Sequence, residues 1–294
     1  MMRERKIRTA DVIRAVVLII ALSVLLYPTV SSYFNAKNSS TIASDYDRSV
    51  SSMTSEEKQK MWDEAVAYNQ TLVGNTSFRD PFTETEEEEN DVYEKLLNID
   101  GNGMMGYIRI PKIDVMLPIY HGTEEKVLQV AAGHISTSSL PVGGESTHAV
   151  LTGHRGLPSA RLFTDLDQLA QGDVFYLHIL DHKLAYKVDQ ILTVLPSETE
   201  ALEITEGEDL CTLVTCTPYA VNTHRLLIRG HRIPYVEATE IMPDEADGFH
   251  MPFEILMLLI AVFILLIILI IWRIVVWRKK KRGRRKKRNR RKRR

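Results

Sequence analysis

The side chains most able to do chemistry here are two cysteines, a histidine among glycines and an arginine. Cys211 and Cys216 stand five residues apart in a run of strand-forming residues. Five extended residues span about 16 Å, whereas the Cα atoms of a disulfide lie within about 7 Å of each other, so the pair is not expected to bridge. The odd offset also puts the two side chains on opposite faces of a strand. One is therefore core filler and the other is free to react. Cys216 ends the run just before Thr217 and Pro218, where a thiol faces a loop and can meet a substrate. Cys211, earlier in the run, reads as packing. A cysteine nucleophile needs a base or a cation to supply its thiolate. His224 and Arg225 follow after a loop, and His154 lies further upstream in Thr152-Gly153-His154-Arg155-Gly156, at the end of another strand-like run with little bulk around it. The other histidines, His121, His134, His148, His178, His182, His231 and His250, carry a weaker signal. There is no C-x-x-C, no H-E-x-x-H and no close histidine pair on a helix, so no metal is expected.

The elements that must hold these residues read as β-rich over 104–235. Short runs of β-branched and aromatic residues at 106–110, 115–119, 148–151, 174–180, 184–188, 211–216 and 225–229 are punctuated by Gly, Pro and Asp. Many short strands at such spacing predict a sandwich or barrel. A short helix is expected at 159–168, where Leu162, Leu166 and Leu169 share a face. Upstream, Thr54 and Glu57 have the spacing of a capping box. Met61, Trp62, Ala65, Val66, Tyr68 and Leu72 then recur near helical period, a stripe expected to pack on the main domain. Residues 74–82 read as a loop broken by Pro81, and the acidic run 84–89, interrupted only by Thr85, as a solvated segment.

Composition first looks uninformative. The chain has 294 residues, 45% hydrophobic and 26% charged, with a formal net charge of −1. That excludes a collagen, a coiled coil and a disordered chain, and two cysteines exclude a disulfide-dense scaffold. The charge, however, is segregated. Residues 35–252 hold 16 basic and 35 acidic residues, a net −19, while 15 of the 17 residues in 278–294 are Lys or Arg. Residues 255–272 are 18 residues without a polar or charged side chain. As a helix they span about 27 Å, close to the thickness of a bilayer core. Trp272 and Trp277 suit its interface. A weaker apolar segment at 15–36 contains Pro28 and reads as a retained anchor or a cleaved signal; the lack of a small-x-small site favours the anchor. Basic flanks stay cytoplasmic, so both termini are expected inside and the acidic middle outside. Directly after a membrane helix, the basic tail reads as a topology lock that meets anionic membrane lipids, and not as a nucleic-acid arm.

Two stretches go further. Thr212-Leu-Val-Thr-Cys216-Thr-Pro-Tyr, followed by Asn222-Thr-His-Arg225-Leu-Leu-Ile-Arg-Gly, resembles the active-site signature of sortases, and within them class C, the pilus-polymerising sortases of Gram-positive bacteria. Gly133-His-Ile, Ser139-Leu-Pro-Val-Gly-Gly and the run from Thr152 through His154 to Leu166 are similar as well. The resemblance covers about residues 40–235. One departure is Ala220, where the class usually has glycine. The resemblance implies a mainly β chain: a sortase-type eight-stranded β-barrel with N-terminal helices and flanking transmembrane helices. It implies that Cys216 is the nucleophile, His154 the acid/base partner and Arg225 the cation for the substrate carbonyl or oxyanion. It also implies that Asp80-Pro81-Phe82 is the lid of class C, with Asp80 paired to Arg225 and Phe82 covering Cys216. The substrate resembles an LPxTG-like sorting signal on a pilin subunit, cut after Thr. The acceptor resembles a lysine amine on the next pilin, and no cofactor is implied. The alternatives are a housekeeping-type sortase that attaches proteins to peptidoglycan and a non-catalytic membrane protein that only binds pilin. The expected organisation is a basic start and anchor at 1–36, a helical region with the lid at 37–95, the catalytic barrel at 96–240, a linker at 241–254, a transmembrane helix at 255–277 and a cytoplasmic tail at 278–294.

Overall fold

The computed structural model describes residues 9–72, 80, 82 and 91–244, together with 257, 261 and 262. Pro81, the acidic run 84–89, the basic tail and all but those three residues of the expected C-terminal span lie outside the described residues. The chain divides into two compact units, residues 1–247 and 248–294. Among the described residues, no helix is long and apolar enough to cross a membrane.

The first unit is built on a closed eight-stranded barrel. Its strands are β1 (Met104–Ile110), β2 (Val115–His121), β3 (Ala132–His134), β4 (Thr147–Thr152), β5 (Val174–Ile179), β6 (His182–Val194), β7 (Asp209–Thr217) and β8 (His224–Ile233). They close in the order β1-β2-β3-β4-β7-β8-β6-β5. Two pairings are parallel, β2 with β3 and β4 with β7, and the rest are antiparallel. All seven strands expected from composition are present. β3 is the one that was not anticipated, because three residues including a glycine carry no alternation to read.

Alternation along each strand sorts side chains to the two faces of the barrel wall. Ile108, Leu117, Leu151, Phe175, Leu177, Tyr186, Cys211, Leu213 and Ile228 fill one continuous core inside the barrel. Their neighbours on the other face, Val150, Val214, Leu227 and Leu192, form a separate outer cluster with Ile135 and Leu202. That outer cluster is the floor on which the site is built.

Helix α1 (Thr9–Ser52) runs unbroken through Pro28 and across the boundary expected at residue 36. Its last turns dock on the barrel through Ala43, Tyr46 and Val50, which bury against Met104 and Tyr107. The Tyr46 hydroxyl donates to the carbonyl of Met105 at 2.7 Å and accepts from the amide of Leu180 at 2.8 Å. Helix α2 (Ser55–Leu72) starts at the expected capping box. The Thr54 amide donates to a Glu57 carboxylate oxygen at 2.8 Å and the Glu57 amide donates to Thr54 Oγ1 at 3.1 Å. Ala65 is buried in the barrel core, with Met61, Trp62, Val66 and Tyr68 packed against it. Asn69 adds a polar clamp: its side chain donates to the carbonyl of Leu140 at 3.0 Å and accepts from the Leu140 amide at 2.7 Å.

The expected helix at 159–168 is corrected. Residues 159–165 are turns and irregular chain, and only Leu166–Gln168 makes a single 3₁₀ turn. Leu162 sits at φ +41°, which interrupts any right-handed helix there. Leu162, Leu166 and Leu169 still bury together in the core, so a shared apolar face did not require a helix.

Candidate active site

Period-2 alternation and two registers assemble the site. Cys216 lies on β7 two residues beyond Val214 and four beyond Thr212, on the outer face. In the antiparallel β7–β8 pair Cys216 stands directly opposite Arg225, so the two side chains emerge side by side. In the parallel β4–β7 pair Thr152 is level with Val214. The Gly153 amide carries the pairing one residue further by donating to the carbonyl of Val214 at 3.1 Å, and Thr215 Oγ1 donates to the carbonyl of Gly153 at 2.7 Å. His154 follows Thr152 by two residues, as Cys216 follows Val214 by two. Cys211, on the inner face, is fully buried in the core, and both cysteines are free.

The loops that leave the two strands pack on each other. Arg155 Nη1 donates to Thr217 Oγ1 at 3.1 Å, and its Nη2 pairs with Asp167. Gly156 has φ +78°, and a Cβ there would come within 2.9 Å of the Tyr219 ring. Gly153 faces the Phe163 ring in the same way, with a Cβ predicted at 2.8 Å. The two glycines beside His154 are thus required by close approach.

Asp80 and Phe82 lie against this outer face. The Asp80 carboxylate grips the Arg225 guanidinium in a two-pronged pair, accepting from Nε at 2.7 Å and from Nη2 at 2.6 Å. Arg225 Nη1 donates to the carbonyls of Asn222 and His224, each at 3.1 Å. All three nitrogens of the cation are therefore engaged. The Phe82 ring lies 5.0 Å from the Arg225 guanidinium carbon and 5.6 Å from the His154 ring, and it packs on the outer cluster below. The contacts of Phe82 are thus to Arg225 and His154, beside a Cys216 that is only 7% exposed. Burial pushes the Cys216 thiol up from its ordinary value; the Arg225 charge opposes this and the Asp80 charge adds to it.

Three comparisons bear on what the arrangement is. A sortase-domain family profile matches residues 108–233. The solved structure of sortase C1 from Streptococcus agalactiae is 49% identical with a TM-score of 0.61, covering 66% of this chain and 98% of that one. The chain belongs to the sortase family. Sortase C of Streptococcus pneumoniae, described in terms of catalysis and pilin substrate specificity, is 48% identical with a TM-score of 0.63, covering 66% of this sortase and 97% of its own chain. Among curated relatives, Sortase A of Bacillus anthracis is 30% identical over 133 residues, which is 45% of this sortase and 61% of that relative. This sortase thus spans less than two thirds of that curated relative's length.

Two groups of the sortase site had no signal in its sequence. Glu125 opens the short helix α3 (Glu125–Leu128), and its Oε2 stands 3.1 Å from His154 Nε2. Nothing in the spacing of 29 residues announces that contact. Arg155 was visible only as part of a motif, and its role in joining the two loops needs the fold. Two of the weaker histidines prove structural. His134 is fully buried between the Tyr93 hydroxyl, 2.9 Å from Nδ1, and the Ser139 carbonyl, 2.8 Å from Nε2. His148 is buried between Thr212 Oγ1 at 2.7 Å and the Glu203 carbonyl at 2.9 Å.

Proposed function

We propose that this sortase is a membrane-anchored cysteine transpeptidase of class C, which cleaves LPxTG-like sorting signals after Thr and joins pilin subunits through lysine isopeptide bonds. The observation that carries this reading is the Asp80 carboxylate locked on Arg225, directly across from Cys216. A guanidinium held that way is preset to bind a carbonyl or carboxylate group, and the thiol beside it is withheld until the cover moves.

The chemistry follows from the side chains. Once Asp80 leaves, the Cys216 thiolate attacks the carbonyl carbon of the sorting-signal Thr. The resulting oxyanion is stabilised by Arg225. Collapse of the intermediate breaks the Thr–Gly bond, and protonated His154 gives its proton to the departing glycine amine. A thioester on Cys216 remains. A lysine amine of the next pilin then attacks it, His154 takes the amine proton, and the thiolate leaves as the isopeptide bond forms. No cofactor enters this scheme.

The charge pattern supports the setting. A −19 segment between basic ends, a polar-free run at 255–272 and the exposed apolar residues Val17, Ile20, Val24, Leu25 and Phe34 on α1 fit a chain with both termini cytoplasmic and the barrel outside, its basic tail on anionic lipid. The lysine acceptor and the pilin substrate rest on the class resemblance and on the pilin specificity described for the pneumococcal relative.

Incubating the full chain with a pilin that carries an LPxTG-like signal should give a thioester adduct on Cys216 by mass spectrometry and covalent pilin multimers. Multimers that persist in Cys216→Ala would overturn the reading. A product carrying cell-wall peptide in place of pilin would make it a housekeeping-type sortase, and unchanged multimer formation in His154→Ala would make it a pilin-binding protein.

A further inference from the structure

His154 has two holders of different permanence. Phe82 lies against its ring, but on the proposed reading Phe82 belongs to the cover that leaves before substrate binds. The other holder stays. Glu125 Oε2 sits 3.1 Å from His154 Nε2, and the second oxygen of the same carboxylate accepts from the Gln129 side-chain amide at 3.0 Å. Glu125 and Gln129 are four residues apart on one helical turn, so the carboxylate is aimed from its own element and not from the cover. An ionised carboxylate can only accept hydrogen bonds. The Gln129 amide, and secondarily His154, hold the Glu125 carboxyl below its ordinary value, so it is ionised at neutral pH. A nitrogen that faces it must therefore carry a proton.

We propose that Glu125, propped by Gln129, is a positioning residue for His154: it fixes the imidazole with the proton on Nε2 and so dedicates Nδ1 to the proton transfers with the cysteine sulfur and the substrate amines. The proposal rests on the transpeptidase reading and deepens it. In the neutral enzyme Nδ1 is then the base that receives the thiol proton. In the charged form the proton on Nδ1 is the one given to the departing glycine amine, while Nε2–H stays on Glu125. A base whose orientation is set by a third group is the general arrangement for an activated nucleophile, and here the third group keeps the ring in place after Phe82 has gone.

Two measurements on the full chain in detergent test this. In the first, ¹⁵N-labelled histidine is observed by NMR and the His154 signal is assigned by its loss in His154→Gln. Wild type should hold the neutral ring with the proton on Nε2, and Glu125→Ala should give a mixture of both tautomers. In the second, steady-state transpeptidation of a sorting-signal peptide should show kcat about tenfold lower in Glu125→Ala with KM within twofold of wild type. Gln129→Ala should lose less in the same direction, and Glu125→Gln, which keeps an acceptor oxygen, should recover part of kcat. Equal folding of the variants is checked by thermal denaturation. Wild type with the proton on Nδ1, or an active wild type whose tautomer and kcat are unchanged in Glu125→Ala, overturns the proposal alone. A wild-type chain that forms no thioester on Cys216 overturns it together with the reading on which it rests.

Discussion

At the scale of single residues, the two cysteines separate cleanly. Cys211→Ala should leave thioester formation intact and cost about 1 kcal/mol of stability from a core site, whereas Cys216→Ala should abolish the adduct without destabilising the barrel; mass spectrometry and denaturant midpoints read the two effects. Ala220 gives a second expectation. It stands at φ +64°, a left-handed conformation that L residues adopt at a cost and glycine does not. Ala220→Gly should therefore raise stability by about 1 kcal/mol, measurable as a higher urea midpoint. The split between the cysteines was readable beforehand, because the two-residue period of a strand is a local property of the backbone. The left-handed angle at Ala220 was only hinted at by the class preference for glycine, since a dihedral depends on how the β7–β8 loop closes.

The elements carry the next two expectations. On the proposed reading Asp80 and Phe82 act as one cover, and burial, with the Asp80 charge adding to it, pushes the Cys216 thiol up. Asp80→Ala removes that charge, loosens the cover and leaves Arg225 facing the sulfur, so the thiol titrates at lower pH. Each unit of that fall raises the thiolate fraction at neutral pH about tenfold. Alkylation of Cys216 by a small thiol reagent should thus be faster at pH 7, with its pH midpoint shifted downward; an unchanged rate and midpoint would count against closure. Elsewhere on the barrel, Asn69 ties α2 to the loop at Leu140 from a site 2% exposed. Asn69→Ala leaves a buried amide and carbonyl without their partner and should cost about 1–3 kcal/mol, read as a lower thermal midpoint. The apolar stripe of α2 was legible from its spacing. Asn69 was not, because a polar residue on a buried face is recognisable only when its partner is known.

For the molecule as a whole, buried histidines set an acid limit. His134 is pushed down to about 3 and His148 to about 4, in both cases chiefly by burial. The unfolded chain takes up these protons near pH 6.5, but the folded chain refuses them until the lower values. Stability contributed by the neutral rings is thus full above pH 6.5 and falls as pH drops from there towards 4 and 3, by about 1.4 kcal/mol per pH unit for each histidine. Urea midpoints measured from pH 7.5 to 4.5 should decline, and His148→Gln should flatten the decline; a parallel slope in the variant would show that other groups carry it. Asp244 anchors the exit of the chain at the same scale. Its carboxylate is almost wholly buried, 2.9 Å from the Tyr235 hydroxyl and 3.1 Å from His178 Nε2. That fastens the end of the first unit to β5 and β6.

The sequence by itself determined whatever depends on near neighbours. It decided which cysteine faces the core, where most strands and the α2 cap lie, and how charge divides along the chain, because period, capping and composition act within a few residues. Only the tertiary structure decided which residues meet. Cys216 and Arg225 stand opposite each other in the β7–β8 register, and His154, two residues beyond the last β4–β7 pair, meets the same Phe82 ring as Arg225. Asp80 reaches Arg225 across 145 residues, and Glu125 reaches His154 across 29. Registers and distant contacts are set by how the whole barrel closes, through shared burial and excluded volume, and no local pattern encodes them.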